Sequence, residues 1–300
     1  MRVNVMDLRI GISGWTYAGW RGTFYPEDLP QKRELRYASE KVNSIEINGS
    51  FYSLQRPTSY QSWYEQAPDD FVFSVKGSRY ITHLRRLSNV GSPLANFFAS
   101  GILCLKEKLG PILWQFPPNM TYDAARFETF FKKLPRTTQE AAELAKKHDE
   151  WMEGRAWTTT DADRPLRYAI EVRNKSFFHE EFIRQLRRHH LVWVMSQGAK
   201  RWPYAEEVTG PFVYLRLHGA TELYASGYSD EELEKWAERL RAWQSGSEPA
   251  DAVRITSLKP PRRKTRDAYV YFDNDAKVHA PFNAMKLMQI MRSGVKQRAA

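Results

Sequence analysis

The chain has 300 residues, 42% of them hydrophobic and 14% aromatic, enough for a sizeable core in one large α/β domain or two smaller ones. Forty-five Lys and Arg against 35 Asp and Glu give a formal charge of +10, which favours anionic ligands or polyanionic partners. A lone cysteine, Cys104, excludes an internal disulfide and a cysteine metal cluster, and with no apolar run of about eighteen residues and no apolar leader in MRVNVMDLRIGIS the expectation is a cytoplasmic protein without a membrane span.

Apolar, β-branched or aromatic runs of strand length recur along the chain at LRIGISGW, SIEINGSFY, FVFSVKG, GPILWQFPP, RYAIEVRN, LVWVMSQ, FVYLRLHG and AYVYFDND. Helical patterning falls between them. Leu94, Phe97, Phe98, Ile102, Leu105 and Leu109 form one stripe behind the Ser92-Pro93 start signal, and Phe127, Phe130, Phe131 and Leu134 another behind Thr121 and Asp123. Ser229 with Glu232 reads as a capping box ahead of Leu233, Trp236, Leu240 and Trp243. This alternation predicts an α/β fold, a single (β/α)8 TIM-like barrel over residues 1–300 with its core from about Arg9 to Met291. The connections before strand five (Pro135 to Arg167) and strand eight (Trp243 to Asp267) are lengthened. A Rossmann-type sheet fits less well, because no G-x-G-x-x-G follows the first strand.

Successive side chains of a strand point to opposite faces, so Glu171 and Arg173 of YAIEVRN share one. The same polar ending recurs: Glu46 and Asn48, Ser74 and Lys76, Gln115, Arg216 and His218, and Asp273 with Asn274. In a TIM-like barrel the carboxyl ends of the strands carry the active site. Lys76, Arg173 and Arg216 suit an anion, which either arginine can hold in a bidentate fork. His279 precedes Pro281, the expected first residue of a helix, so free N–H groups are expected beside it.

Other chemistries fit less closely. His83, His218, His279, Glu46, Glu171 and Asp273 are of metal-ligand type, but no tight ligand spacing joins them; no cofactor is expected, and a divalent metal stays open. GISGW lacks the last glycine of a serine nucleophile elbow. Trp15, Tyr17, Trp20 and Tyr25 either stack a base or sugar or pack a loop over the barrel mouth. The basic stretches QLRRHH, KPPRRKTR and RSGVKQRAA are either solvated faces or contacts for a polyanion.

The leading functional expectation is an enzyme that hydrolyses or cleaves a phosphoester in nucleic acid or in a small phosphorylated molecule. Lys76, Arg173 and Arg216 bind and neutralise the phosphate, with Glu171 as general base and His218 as general acid or hydrogen-bond donor to the phosphate. Glu46 and Gln115 position the reacting group, Asn48 and Tyr52 support them, and Trp15, Tyr25, His83, Asn274 and His279 complete the binding set. One alternative is a non-catalytic nucleic-acid binder that uses Lys259 to Arg266 and the stripe near Arg187 and Arg188. Another is a sugar-phosphate isomerase or aldolase-like enzyme with Lys76 as base or Schiff-base former. Substrate and oligomeric state stay open at this level.

GISGWTYAGWRGTFYP, VNSIEINGSFY, FVFSVKGSRYITHLRRL, LGPILWQFPP, YAIEVRNKSF, FVYLRLHG and YVYFDNDAKVHAPFNAMKL, in that order, resemble the domain of unknown function 72 family, the YecE-like proteins. The resemblance implies a TIM-like barrel and no established reaction. Three positions depart from the family pattern. Asn174 stands where a histidine commonly follows the Glu-x-Arg, Ser196 and Gln197 where an aspartate often follows strand six, and Val278 where a glycine often precedes the histidine. The anion-binding set survives these departures and the acid–base set is thinned.

Overall fold

The structure is a computed structural model that describes Asp7 to Arg298, with side chains as far as Ser293. The strands are β1 (Leu8–Ser13), β2 (Ser44–Ile47), β3 (Val72–Lys76), β4 (Leu109–Gln115), β5 (Tyr168–Glu171), β6 (Val192–Gln197), β7 (Phe212–Leu217) and β8 (Asp267–Phe272). They follow one another in chain order around a closed barrel with helices between them. Every residue of β2, β3, β5 and β7 is buried, which is why these segments read as nearly unbroken apolar runs. The chain falls into two compact units, one formed up to Ile45 and from Val192 onward, the other by Glu46–Leu191.

In the first unit β6, β7, β8 and β1 pair in parallel, with Ser196 beside Arg216, Arg216 beside Tyr271 and Ile12 beside Phe272. Gly11 is required where β1 meets β2, because a Cβ there would fall 1.7 Å from the carbonyl oxygen of Ser44. The helix Asp230–Gln244 starts at the expected capping box: Ser229 N donates to Glu232 Oε2 at 2.8 Å and Glu232 N to Ser229 Oγ at 3.2 Å. It buries Leu233, Ala237, Leu240 and Trp243. The basic loop before β8 is not uniformly exposed. Arg266 is buried and donates to the carbonyls of Ser247 and Pro261, so it anchors the loop, while Arg262, Arg263 and Lys264 face solvent.

In the second unit β3, β4 and β5 pair in parallel, with Lys76 beside Leu113 and Gln115 beside Glu171. The helix Ala124–Lys133, capped by Asp123, buries Phe127, Phe130 and Phe131, with Phe130 against Trp114 of β4 and Phe127 against Phe116 at its end. Burying each such ring contributes about 2 kcal/mol. Two sequence expectations change here. The stripe from Leu94 to Leu109 is not one helix: it breaks at Gly101, whose φ of 109° turns the chain, and Leu109 already belongs to β4. A Cβ on Gly101 would lie 2.5 Å from Pro57 Cα, so tertiary contact decides the break. The segment Gly49–Tyr52 is a helical turn rather than the end of β2. The long connection before β5 holds the helix Thr138–Ala145 and returns through a bridge between Thr137 and Pro165.

Candidate functional site

Polar side chains gather at the carboxyl ends of strands in each unit. In the second unit Lys76 ends β3, only 7% exposed, with its ammonium 4.3 Å from the centre of the Phe51 ring. Directly after it Tyr80–Leu84 form one turn of π-helix, a geometry that recurs at functional sites. That turn presents the half-buried His83, edge-on to Phe51 at 5.1 Å and with Nδ1 2.8 Å from Thr82 Oγ1. Glu171 closes β5 fully buried, and Arg173, just past the strand, donates from Nε to Glu171 Oε1 at 2.7 Å. The shared face expected from strand alternation is therefore an ion pair. Glu171 orients Arg173 through it, and the carboxylate expected as a free general base is already engaged.

The electrostatics of this cluster are read at His83. Burial first, and then the charges of Lys76, Arg173 and Arg79, push its pKa down to about 4, with Glu171 opposing. At neutral pH it is a neutral imidazole in a positive field. Glu46 is fully buried on β2, and Asn48 follows that strand with its Oδ1 buried and without a hydrogen-bond partner. Gln115 is buried and donates to the Phe116 carbonyl, while Tyr52 is 69% exposed and stands edge-on to Phe51. Asn174 caps the turn Lys175–Phe177 and donates to the Pro118 carbonyl, a structural use of the position where a histidine was the family expectation.

In the first unit Arg216 and His218, on and just past β7, are both fully buried around Asp273. Arg216 Nη2 donates to Asp273 Oδ2 at 2.9 Å and lies 3.4 Å from Ser13 Oγ. His218 Nδ1 is also 2.9 Å from Asp273 Oδ2, an ion-pair distance without in-line hydrogen-bond geometry. On its other side Nε2 lies 3.3 Å from Arg216 Nη1 and 3.2 Å from Ser196 Oγ. These contacts suit a ring protonated at Nδ1 that accepts at Nε2. Trp202 and Tyr224 stand edge-on to the ring at 5.2 and 5.4 Å.

Asp275 belongs to the same cluster and escaped the sequence reading. Its pKa is pushed up to about 6 by burial and then by the Asp273 charge, against the pull of a Tyr17 hydrogen bond and Arg216. The D-x-D spacing of FDNDAK was the available signal: two carboxylates leave β8 two residues apart.

Other candidates are placed differently from the expectation. Tyr25 is 1% exposed, packed against Trp20, Phe24 and Tyr37 with its hydroxyl on the Trp15 carbonyl, so packing replaces stacking for it. Trp20 is likewise buried and donates to the Asp275 carbonyl, and Trp15 is half-buried. Asn274 is buried, and its amide ties Ser226 and Asn283 together, which takes its donors away from a ligand. His279 itself begins the helix His279–Arg298, so Pro281 is its third residue, and Val278 before it holds φ at 61°. Gln197 accepts a hydrogen bond from the Tyr228 hydroxyl. Arg188 and His189 of the basic stripe pair with Glu128, and part of the basic C-terminal tail lies outside the described residues. Among the described residues no three His, Cys, Asp or Glu group as a metal site, and no helix is long and apolar enough to cross a membrane.

Residues 9–300 match the family described as protein of unknown function DUF72. The UPF0759 protein YunF of Bacillus subtilis (strain 168) is 21% identical over 313 residues, covering 95% of this chain and 94% of that one. A solved DUF72 family protein of Thermotoga maritima matches with a TM-score of 0.71 at 23% identity, over 95% of this chain and 99% of its own. Another from Enterococcus faecalis V583 matches with a TM-score of 0.66 at 14% identity, over 95% of each chain. At such identities the likeness to solved structures speaks for the fold alone. With the family match running from β1 onward through the whole barrel, the chain belongs to the DUF72 family.

Proposed function

We propose that the protein binds a phosphorylated ligand through the second unit's strand ends and cleaves its phosphoester. The observation that carries this reading is the positive field at His83, where Lys76, Arg173 and Arg79 outnumber Glu171. A phosphate dianion would neutralise that field through charge-assisted hydrogen bonds from Lys76 and Arg173. It would also restore basicity to His83. In hydrolysis the His83 imidazole takes a proton from the attacking water as the P–O bond to the leaving group breaks, the resulting imidazolium gives that proton to the departing alkoxide, and Glu171 keeps Arg173 aimed at the phosphoryl oxygens. General-base help of this kind is worth about 10²–10⁴ in rate.

Titration of His83 by NMR, with and without inorganic phosphate, tests the binding half, and a screen with p-nitrophenyl phosphate and bis(p-nitrophenyl) phosphate tests the chemistry. Phosphate is expected to lift the His83 titration from about 4 toward its ordinary range, and His83→Gln to lower turnover by about 10² or more. An unmoved titration together with full turnover in His83→Gln would reject the proposal.

A second reading concerns the first unit by itself. Asp273 and Asp275, with His218 against the former, form an acid–base set suited to proton transfer, because Asp275 titrates near 6. It calls for a turnover inflection near that pH that disappears in Asp275→Asn. An unchanged pH profile in the variant excludes it.

A further inference from the structure

The π-helical turn that carries His83 has a second, outward side. Arg79 precedes it and Arg85 and Arg86 follow it, and these lead into an open groove of about 540 Å³ lined by Arg85, Arg86, Ser88, Asp123, Arg126 and Thr129. The groove carries three guanidiniums against one carboxylate. Arg126 shares Asp123 at 3.5 Å, whereas Arg79, Arg85 and Arg86 have no carboxylate at ion-pair distance among the described residues. Arg86 instead donates to the Asn119 carbonyl at 2.7 Å, and Arg85 lies over the Tyr80 ring at 5.3 Å with Nε on its hydroxyl. The backbone holds Arg86, Leu87 and Asn89 at φ of 48°, 67° and 50°, a path that side-chain-bearing residues rarely take and that recurs where function requires it. An exposed ring stands among the cations: Tyr80, against Arg85, is 43% exposed.

We infer that this groove binds the phosphodiester backbone of a single-stranded nucleic acid, with an unpaired base stacking on Tyr80. Guanidiniums without carboxylate partners are the groups that exchange condensed counterions for phosphates, and an exposed ring beside them favours an unpaired strand over a duplex, whose bases are already stacked. The inference extends the phosphate reading above from one phosphoryl group to a polymer, and rests on that reading for its choice of ligand.

The test is fluorescence anisotropy with a labelled oligothymidylate of about twelve nucleotides, a length within the usual footprint of single-strand binders, across a salt series. Arg85→Ala/Arg86→Ala/Arg126→Ala is expected to weaken binding at least tenfold and to flatten the log–log salt slope by about 2, as loss of three phosphate contacts requires. Arg85→Glu, a single surface change, is expected to weaken binding in the same direction without a question of folding. Arg262→Ala/Arg263→Ala/Lys264→Ala removes as much charge from the exposed loop of the other unit and is expected to leave binding intact. Equal loss in this control, tighter binding of a duplex of the same length, or capture by phosphatidylserine vesicles in place of the oligonucleotide would each overturn the inference. Lys76→Met separates the two readings. If phosphate moves His83 in Lys76→Met as it does in the native protein, or fails to move it in the native protein, while Lys76→Met spares oligonucleotide binding, the phosphate reading falls and the groove stands; if phosphate moves His83 in the native protein and not in Lys76→Met while the groove variants bind oligonucleotide as the native protein does, the groove falls alone.

Discussion

The two strand-end clusters sit on equivalent parts of their strands and carry opposite charge balances. Around His83 cations are in excess, and around Asp275 two carboxylates share one arginine and one histidine. Burial acts alike in both, disfavouring whichever form is charged. The neighbours then push each group further along the same path: Lys76, Arg173 and Arg79 drive the His83 pKa lower still, and Asp273 drives that of Asp275 higher. The first arrangement leaves a neutral base waiting for negative charge, and the second leaves an acid poised to hold or release a proton near neutrality. In the proposed reading, charge excess rather than the number of polar groups separates the anion site from the proton-transfer set.

The largest expected effect breaks the ion pair of the second unit. Arg173→Ala leaves Glu171 buried without its guanidinium, and a stability loss of about 3–5 kcal/mol is expected in urea unfolding. Glu171→Gln/Arg173→Met, which removes both charges, should recover much of it. A loss below about 1 kcal/mol in the single variant would mean that the pair does not hold this unit together. The matching change in the first unit, Asp273→Ala, is expected to cost less, about 2–3 kcal/mol, because Arg216 keeps its contacts with Ser13 and His218. Equal losses from the two substitutions would mean that the two ion pairs stabilise their units alike.

Much of this architecture was legible in the sequence because its causes are local. Two-sided burial writes itself as an apolar run, the capping box at Ser229 and Glu232 is a spacing, and strand alternation puts Glu171 and Arg173 on one face. What stayed hidden depends on partners distant in the chain. Gly101 ends a helix because Pro57 leaves no room beside it, and Tyr25 is packed because Trp20, Phe24 and Tyr37 enclose it. The raised pKa of Asp275 needs both its burial and the Asp273 charge, and sequence shows only their spacing. The π-turn that aims His83 has no sequence signature comparable to a cap.

The smallest effects are the sharpest test of the comparison, because they differ in sign. Asp275 has a folded pKa of about 6, above its ordinary 3.8, so the folded state takes up a proton more readily and its contribution to stability declines as pH rises through that window. Asp275→Asn should therefore stabilise the protein above pH 6, by about 1 kcal/mol once solvent screening is allowed for, and make little difference near pH 4. His83 has a folded pKa of about 4, below its ordinary 6.5, so the unfolded state binds the extra proton and stability declines as pH falls from 6.5 toward 4. His83→Gln should remove that acid-side loss and leave the alkaline side unchanged. Urea midpoints measured from pH 4 to 8 for both variants give two difference curves that must slope in opposite directions between about pH 4 and 6.5 and run flat above it. If the two curves slope the same way across that window, the two fields do not have opposite signs, and the assignment of one cluster to anions and the other to protons fails with them.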